Sequence, residues 1–323
     1  MSTQPTLSLV VPLYNEQDNI NPLLNRVEEG LHEYTGSYEL ILVDDGSSDH
    51  TVAKALAASS DHDYEIRVLE LQRNFGQTAA MQAGIDAATG ELIVTLDGDL
   101  QNDPHDIPRM VDALLGRDLD LLVGWREKRK DKLFMRKIPS WLANRLIGKI
   151  TGVKIHDYGC SLKVYRASVI KQVKLLGEMH RFIPAWVAAV APARRIGEMP
   201  VTHHARIHGA SKYGISRSIR VVLDLLSVLF FMKYRARPGH FFGGIGMVVG
   251  FIGGMILVYL GFDKFILGNH IGARPALLIG VVMVITASQF LTTGILAELM
   301  SRTYYETSNT THYVVREAHT NKP

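Results

Sequence analysis

Four short apolar runs alternate with three helix-like stretches over roughly the first hundred residues. Leu7-Ser8-Leu9-Val10-Val11-Pro12, Glu39-Leu40-Ile41-Leu42-Val43, Ile66-Arg67-Val68-Leu69-Glu70-Leu71 and Leu92-Ile93-Val94-Thr95-Leu96 are rich in β-branched and aliphatic side chains. Each has the length of a strand, and the nearly continuous apolar character suits burial on both faces. Helices are expected to open near Asn19 and about Thr51, and a third to run to about Ala88. The order strand, polar break, helix, repeated, predicts a doubly wound parallel sheet with every break on one edge. Leu121-Leu122-Val123-Gly124-Trp125-Arg126 reads as a further strand ending in a cation.

The pattern changes after about residue 238. Phe241 to Phe262 carries no charge, and Pro275 to Ala297 has only Thr, Ser and Gln as polar breaks. Both are long enough to cross a bilayer core of about 30 Å. Gly246, Gly250 and Gly254 recur every fourth residue, a spacing that offers a close-packing face to the second helix or to another subunit. Before them, Ile215 to Met232 puts Arg217, Arg220, Asp224 and Ser227 on one narrow stripe, as in a helix lying in the membrane interface. Lys233, Arg235 and Arg237 precede the first span, whereas Asp263 to Arg274 is poor in cations. The positive-inside rule then puts the bulk of the chain and its C-terminus in the cytoplasm of a multi-pass inner or plasma membrane protein. The expected division is 1–212 catalytic domain, 213–238 interface helix region, 239–300 two membrane helices and 301–323 C-terminal tail.

Composition adds little. A net charge of +3 does not favour nucleic acid, and none is expected as a partner. Cys160 is the single cysteine, which excludes an intrachain disulfide and suits a reducing compartment. Met1 to Ser8 lacks the basic and apolar regions of a secretory signal.

The chemistry lies in the polar breaks. Asp97-Gly98-Asp99-Leu100-Gln101 follows the fourth strand, and strand alternation would aim Asp97, Asp99 and Gln101 to one side. Two crowded carboxylates raise the pKa of one of them unless a cation intervenes. Hard oxygen donors without a His or Cys pair favour Mg²⁺ or Mn²⁺. Asp44-Asp45-Gly46-Ser47 and Arg73-Asn74-Phe75-Gly76 close the second and third strands at the same edge, where open α/β sheets bind ligands. Arg126 to Lys137 is dense in cations and leads into Ser140 to Ile147, with Trp141, Leu142, Leu146 and Ile147 along one helical face. That combination suits anionic head groups. His156, His180, His203, His204 and His208 show no metal-ligand spacing with acids.

Val11-Pro12-Leu13-Tyr14-Asn15-Glu16, Asp44-Asp45-Gly46-Ser47, Arg73-Asn74-Phe75-Gly76 and Asp97-Gly98-Asp99-Leu100-Gln101 follow one another as in the family 2 glycosyltransferases. More narrowly, the chain resembles the polyprenyl-phosphate sugar transferases over about residues 7 to 300. The resemblance implies a GT-A fold, Rossmann-like with a mostly parallel sheet, followed by amphipathic interface helices and a two-helix membrane hairpin. It implies a metal-dependent, inverting transfer of a UDP- or GDP-linked sugar to a polyprenyl phosphate at the membrane lipid surface. Pro12, Tyr14, Glu16 and Asp44 would line the nucleotide pocket, and Asp97 would lie near the ribose and diphosphate. Asp99 and Gln101, with Asp97, would hold the metal. Arg126, Arg136 and Ser140 would grip the acceptor phosphate, and Arg206 and Lys212, in a glycine-containing basic loop, would meet the donor diphosphate. A homo-oligomer, a tetramer by resemblance, is implied as well. Asp157-Tyr158-Gly159-Cys160 resembles the formamido-arabinosyl branch. Asp157 is read as orienting cations or substrate, since a lipid phosphate is already mostly ionised near neutral pH.

Two rivals share these motifs. A processive polysaccharide synthase would need a Gln-x-x-Arg-Trp run and a translocation channel; the chain shows no such run and two spans. A non-catalytic membrane scaffold would have no use for crowded anions at residues 97 and 99. A transferase acting on a soluble acceptor is a third possibility.

Overall fold

A computed structural model describes residues 6–127, 148, 151–175, 177, 179–205, 230, 238–307 and 315–321. Two compact units emerge: Met1–Met232 with Thr311–Pro323, and Lys233–Thr310. Most of the interface-helix region, and Arg136, Ser140, Arg206 and Lys212, lie outside the described residues.

The first unit is built on one eight-stranded sheet. Its strands are β1 (Leu7–Leu13), β2 (Tyr38–Asp44), β3 (Glu65–Leu71), β4 (Leu92–Thr95), β5 (Leu121–Trp125), β6 (Lys163–Arg166), β7 (Ile196–Pro200) and β8 (Val315–Asn321), in the order β7-β5-β6-β4-β1-β2-β3-β8. Strands β4, β1, β2 and β3 are mutually parallel, as the alternating pattern predicts. The sheet is nonetheless mixed. β6 runs antiparallel between β4 and β5, and β8 runs antiparallel on the outer edge of β3. Thus part of the segment read as a C-terminal tail caps the exposed edge of β3. An edge strand left open would present unpaired N–H and C=O groups.

Helices α1 (Ile20–Leu31), α2 (Thr51–Ser59), α3 (Gln77–Ala87) and α4 (Asp106–Gly116) are followed by the short α5 (Ala167–Ile170) and α6 (Ile183–Val187). α1 buries Ile20, Leu23, Leu24, Val27 and Leu31, the i, i+3, i+4, i+7 face its sequence shows. β1 is buried along its whole length. α3 lies close on the sheet because residue 84 is glycine: a Cβ there would stand 2.3 Å from Val10 Cγ1.

Pro12 sits inside a central strand, where a missing N–H usually breaks the ladder. The Asp45 N–H donates to Leu13 O and the Leu96 N–H to Val10 O, so successive β1 residues face β2 and β4 in turn. By that alternation Pro12 faces the β4 side, where β4 has already ended at Thr95. The proline removes no sheet bond.

The second unit is a hairpin of α7 (Pro238–Phe265) and α8 (Pro275–Thr307). Gly239–Phe265 and Pro275–Met300 have mean hydropathies of 2.2 and 1.9, enough to span a bilayer. A Cβ would meet α8 at 2.9 Å on Gly239, 3.0 Å on Gly246, 3.1 Å on Gly250 and 2.8 Å on Gly253; on Gly254 it would meet nothing. The seam therefore follows 239, 246, 250 and 253 rather than the expected ladder through 254. Four-residue steps rotate about 40° each around a 3.6-residue helix, whereas seven-residue steps nearly return to the same line. At the turn, Asp263 pairs with Arg274 at 2.5 Å and accepts from Asn269 Nδ2 at 2.8 Å.

Candidate active site

The carboxyl ends of β1, β2, β3 and β4 share one edge, and their loops are bonded to one another. Tyr14 is 40% exposed, and Asn15 adopts φ +56°, a conformation asparagine tolerates better than most residues. The Asn15 N–H donates to Ser47 Oγ at 2.8 Å, and the Glu16 N–H to Thr51 Oγ1 at 2.9 Å. The Asn15 carboxamide oxygen accepts from the Ser48 N–H at 2.8 Å. Glu16 also accepts from Asn19 Nδ2 at the start of α1.

Asp45 accepts from the N–H groups of Phe75 and Gly76 at 2.7 and 2.9 Å, which locks the loop after β3 to the loop after β2. Between them Gly46 has φ +70°, and a Cβ there would lie 2.5 Å from the Arg73 carbonyl carbon. No other residue fits that approach. Arg73 rests over the Phe75 ring at 4.3 Å.

Asp44 is a carboxylate left short of partners. Its Oδ2 accepts from the Ser47 N–H at 2.9 Å, but its buried Oδ1 has no partner among the described residues. Burial, reinforced by the charge of Glu70, pushes the Asp44 carboxyl above its ordinary value. Glu39, equally buried, shows the contrast. It accepts from Ser8 Oγ, from the Thr89 N–H and hydroxyl and from Arg67, and these bonds outweigh burial to hold it below the usual range. A buried acceptor oxygen whose lone pairs meet no donor, at this edge of the sheet, calls for one.

Asp97, Asp99 and Gln101 come together, though not by strand alternation. β4 ends at Thr95, and the three residues lie on a turn in which Leu100 takes φ +62°. The Gln101 N–H donates to Asp99 Oδ1 at 3.2 Å, and Asp97 Oδ1 accepts from Gln77 Nε2 at 2.8 Å. Burial and then the charge of Asp99 push the Asp97 carboxyl up, against Ser161, Lys163 and Arg126, which favour the ionised form. Two neighbouring oxygen-donor acids, the charge of Asp99 helping to push the Asp97 carboxyl up, and an amide two residues further on fit a hard divalent cation.

Beyond Asp97, Arg126 donates from Nε and Nη2 to the two oxygens of Asp157 at 2.7 and 3.0 Å. The side chains are 15% and 11% exposed. This fork-to-fork pair fixes the guanidinium plane. Lys163, on β6, is fully buried and donates to the Cys160 carbonyl. Burial pulls its ammonium down, while Cys160, Asp157 and Asp97 pull it up.

The edge thus brings together Pro12, Tyr14, Glu16, Asp44, Asp97, Asp99 and Gln101, and pairs Arg126 with Asp157. Gln77, Ser161 and Lys163 were not anticipated. Gln77 directly follows the Arg73 to Gly76 motif and was within reach of sequence reasoning. Ser161 and Lys163 enter through β6, whose antiparallel insertion no periodicity announces. Three of the histidines have protein partners: His180 Nδ1 with Thr78 Oγ1 at 2.6 Å, His204 with Asp103 at 2.9 Å and His156 with Glu198; His208 lies outside the described residues.

A mixed sheet of this order with an acid-rich break after β4 is that of the GT-A fold. Residues 8–174 match the family described as Glycosyl transferase family 2. The chain belongs to that family, to its polyprenyl-phosphate sugar transferase type. It is 65% identical to the dodecaprenyl-phosphate galacturonate synthase of Rhizobium johnstonii, over 96% of this chain and 92% of that protein. It is 36% identical to the undecaprenyl-phosphate 4-deoxy-4-formamido-L-arabinose transferase of Edwardsiella ictaluri, over 96% and 93%. A crystal structure of glucosyl-3-phosphoglycerate synthase from Mycobacterium tuberculosis with Mn²⁺, UDP-glucose and phosphoglyceric acid shares the fold. Its TM-score is 0.53 at 19% identity, covering 70% of this chain and 80% of that one. The Asp157 to Cys160 segment, which resembles the formamido-arabinosyl branch, did not anticipate a galacturonate synthase at higher identity.

Proposed function

We propose that this enzyme transfers a hexuronosyl residue of the galacturonate class from a nucleoside-diphosphate donor to a polyprenyl phosphate at the cytoplasmic face of the membrane. The 65% identity to the galacturonate synthase supports the sugar. The observation that carries the site is the Asp97, Asp99 and Gln101 turn on the same sheet edge as the unpartnered oxygen of Asp44.

Asp44 Oδ1 accepts a base N–H, while Pro12, Tyr14 and Glu16 shape the pocket around the nucleoside. Asp97, Asp99 and Gln101 would hold Mg²⁺ or Mn²⁺, and a cation there would supply positive charge against the donor diphosphate and the charge developing on it as it leaves. Gln77 fixes the Asp97 carboxylate. Arg126, held flat by Asp157, keeps Nη1 for the acceptor phosphate. An oxygen of that phosphate attacks the anomeric carbon as the bond to the nucleoside diphosphate breaks. One displacement inverts the anomeric centre. The phosphate oxygen is already ionised, so Asp157 serves as the partner of Arg126 rather than as a base. Arg136 and Ser140 on the acceptor side, and Arg206 and Lys212 on the donor side, complete the reading.

The catalytic unit, residues 1–212, and the chain beyond the hairpin lie in the cytoplasm, with 213–238 on the membrane surface; the cations Lys233, Arg235 and Arg237 before α7 support this reading. The protein works as a homo-oligomer. The test is a screen of UDP- and GDP-linked sugars against undecaprenyl phosphate, read as label entering the organic phase. Transfer of hexuronate above neutral hexoses supports the reading. Transfer of another sugar alone, or to a water-soluble acceptor alone, overturns it.

A further inference from the structure

We propose that the stacked rings of Trp125 and His156 form the subsite for the first isoprene units of the acceptor. This rests on the reading above, with the lipid phosphate on Arg126.

Trp125 ends β5, and its ring lies against His156 with centroids 4.6 Å apart and planes 19° from parallel. The next residue on each segment completes a second rung, Arg126 with Asp157. Aromatic pair and ion pair therefore sit side by side, joining the same two stretches of chain. The His156 side chain is 68% exposed, yet it is not loose. Its backbone N–H donates to Glu198 Oε2 at 2.7 Å, and its Nδ1 bonds the other oxygen of that carboxylate. An exposed imidazole held at two points and stacked on an indole is a prepared flat surface rather than a solvated side chain.

The direction of the reaction identifies the occupant. Across the sheet the order is β4, β6, β5, β7. Asp97 follows β4, Arg126 follows β5, and Glu198 lies on β7. The acceptor phosphate presents its attacking oxygen towards the anomeric carbon, on the Asp97 side. Its ester oxygen, which carries the lipid, leaves on the side away from the donor. From Arg126 that is the β7 side, where Glu198 holds His156, whose ring stacks on Trp125 at the end of β5. The group arriving there is a chain of flat trisubstituted alkenes, which packs on aromatic faces while the phosphate meets the guanidinium.

The experiment uses purified full-length protein in detergent, a fixed sugar nucleotide, and farnesyl or decyl phosphate as acceptor. Trp125→Ala should raise KM for farnesyl phosphate about tenfold and leave KM for the donor unaltered, and Trp125→Phe should recover most of the loss. Wild type should prefer farnesyl over decyl phosphate, and Trp125→Ala should erase that preference. An unchanged acceptor KM, a raised donor KM, or an equal loss of kcat with both acceptors would overturn the subsite. If wild type uses neither acceptor and no longer polyprenyl phosphate, the parent reading has failed and this one falls with it.

Discussion

Replacing Asp157 by Asn separates two roles for the carboxylate beside Arg126. In the structure its two oxygens meet Nε and Nη2 at 2.7 and 3.0 Å, in a pair mostly shielded from water. Opposite charges about 4 Å apart at an effective dielectric near 20 attract by about 4 kcal/mol. Removing one member of a shielded pair leaves the other uncompensated, and such changes typically destabilise by about 3–5 kcal/mol. Asparagine keeps the shape, but one of its two positions becomes an N–H facing an N–H. Asp157→Asn should therefore lower the unfolding temperature measurably in detergent. Among folded molecules it should release the guanidinium plane and raise KM for polyprenyl phosphate at least tenfold, a loss of about 1.4 kcal/mol in acceptor binding. Donor KM should hold, and the pH–rate profile should keep its shape. A general base would leave a different signature: kcat lower by about 10² to 10⁴ with acceptor KM intact, and the acid limb of the profile gone. That result would refute the assignment of Asp157 as the partner of Arg126.

Asp99→Ala should abolish metal-dependent donor binding, read by calorimetry with Mn²⁺, without unfolding the chain; retained binding would favour a scaffold that merely kept the fold. Asp44→Ala should weaken binding of the nucleotide about tenfold, about what one hydrogen bond to a charged group contributes, while Mn²⁺ affinity holds. The Asp97 carboxyl is pushed up in the folded chain, so the metal-free protein loses stability as pH rises through that folded value. Asp97→Asn escapes this loss, and in chelator its melting advantage over wild type should grow as pH rises above the ordinary aspartate value; a constant difference would contradict the shift. In the hairpin, Gly253→Leu should cost about 1–3 kcal/mol of stability because its Cβ would press on Met283, whereas Gly254→Leu should be silent. Thermal unfolding of both variants in detergent decides it.

The catalytic half was legible because its signals are local. Each parallel strand of β1 to β4 is an apolar run followed by a polar break, and parallel winding alone carries the breaks to one edge. What the sequence hid is non-local. β6 is four residues long and β8 follows the membrane hairpin, so neither belongs to a periodic segment that points to its partner. Ser161 and Lys163 were missed with β6. Strand alternation is not what puts Asp97, Asp99 and Gln101 on one turn, since β4 stops two residues short and the chain turns with a positive φ at Leu100. In the hairpin, a four-residue glycine spacing caught Gly246 and Gly250, but the crossing of two helices selects Gly253 over Gly254.

The most direct test supplies purified protein with labelled UDP- or GDP-hexuronate, a polyprenyl phosphate, and Mg²⁺ or Mn²⁺. The account predicts label in the organic phase from one of the two donors, dependent on the metal and absent in Asp99→Ala. A protein that binds neither sugar nucleotide with either metal, and moves no label, would contradict it.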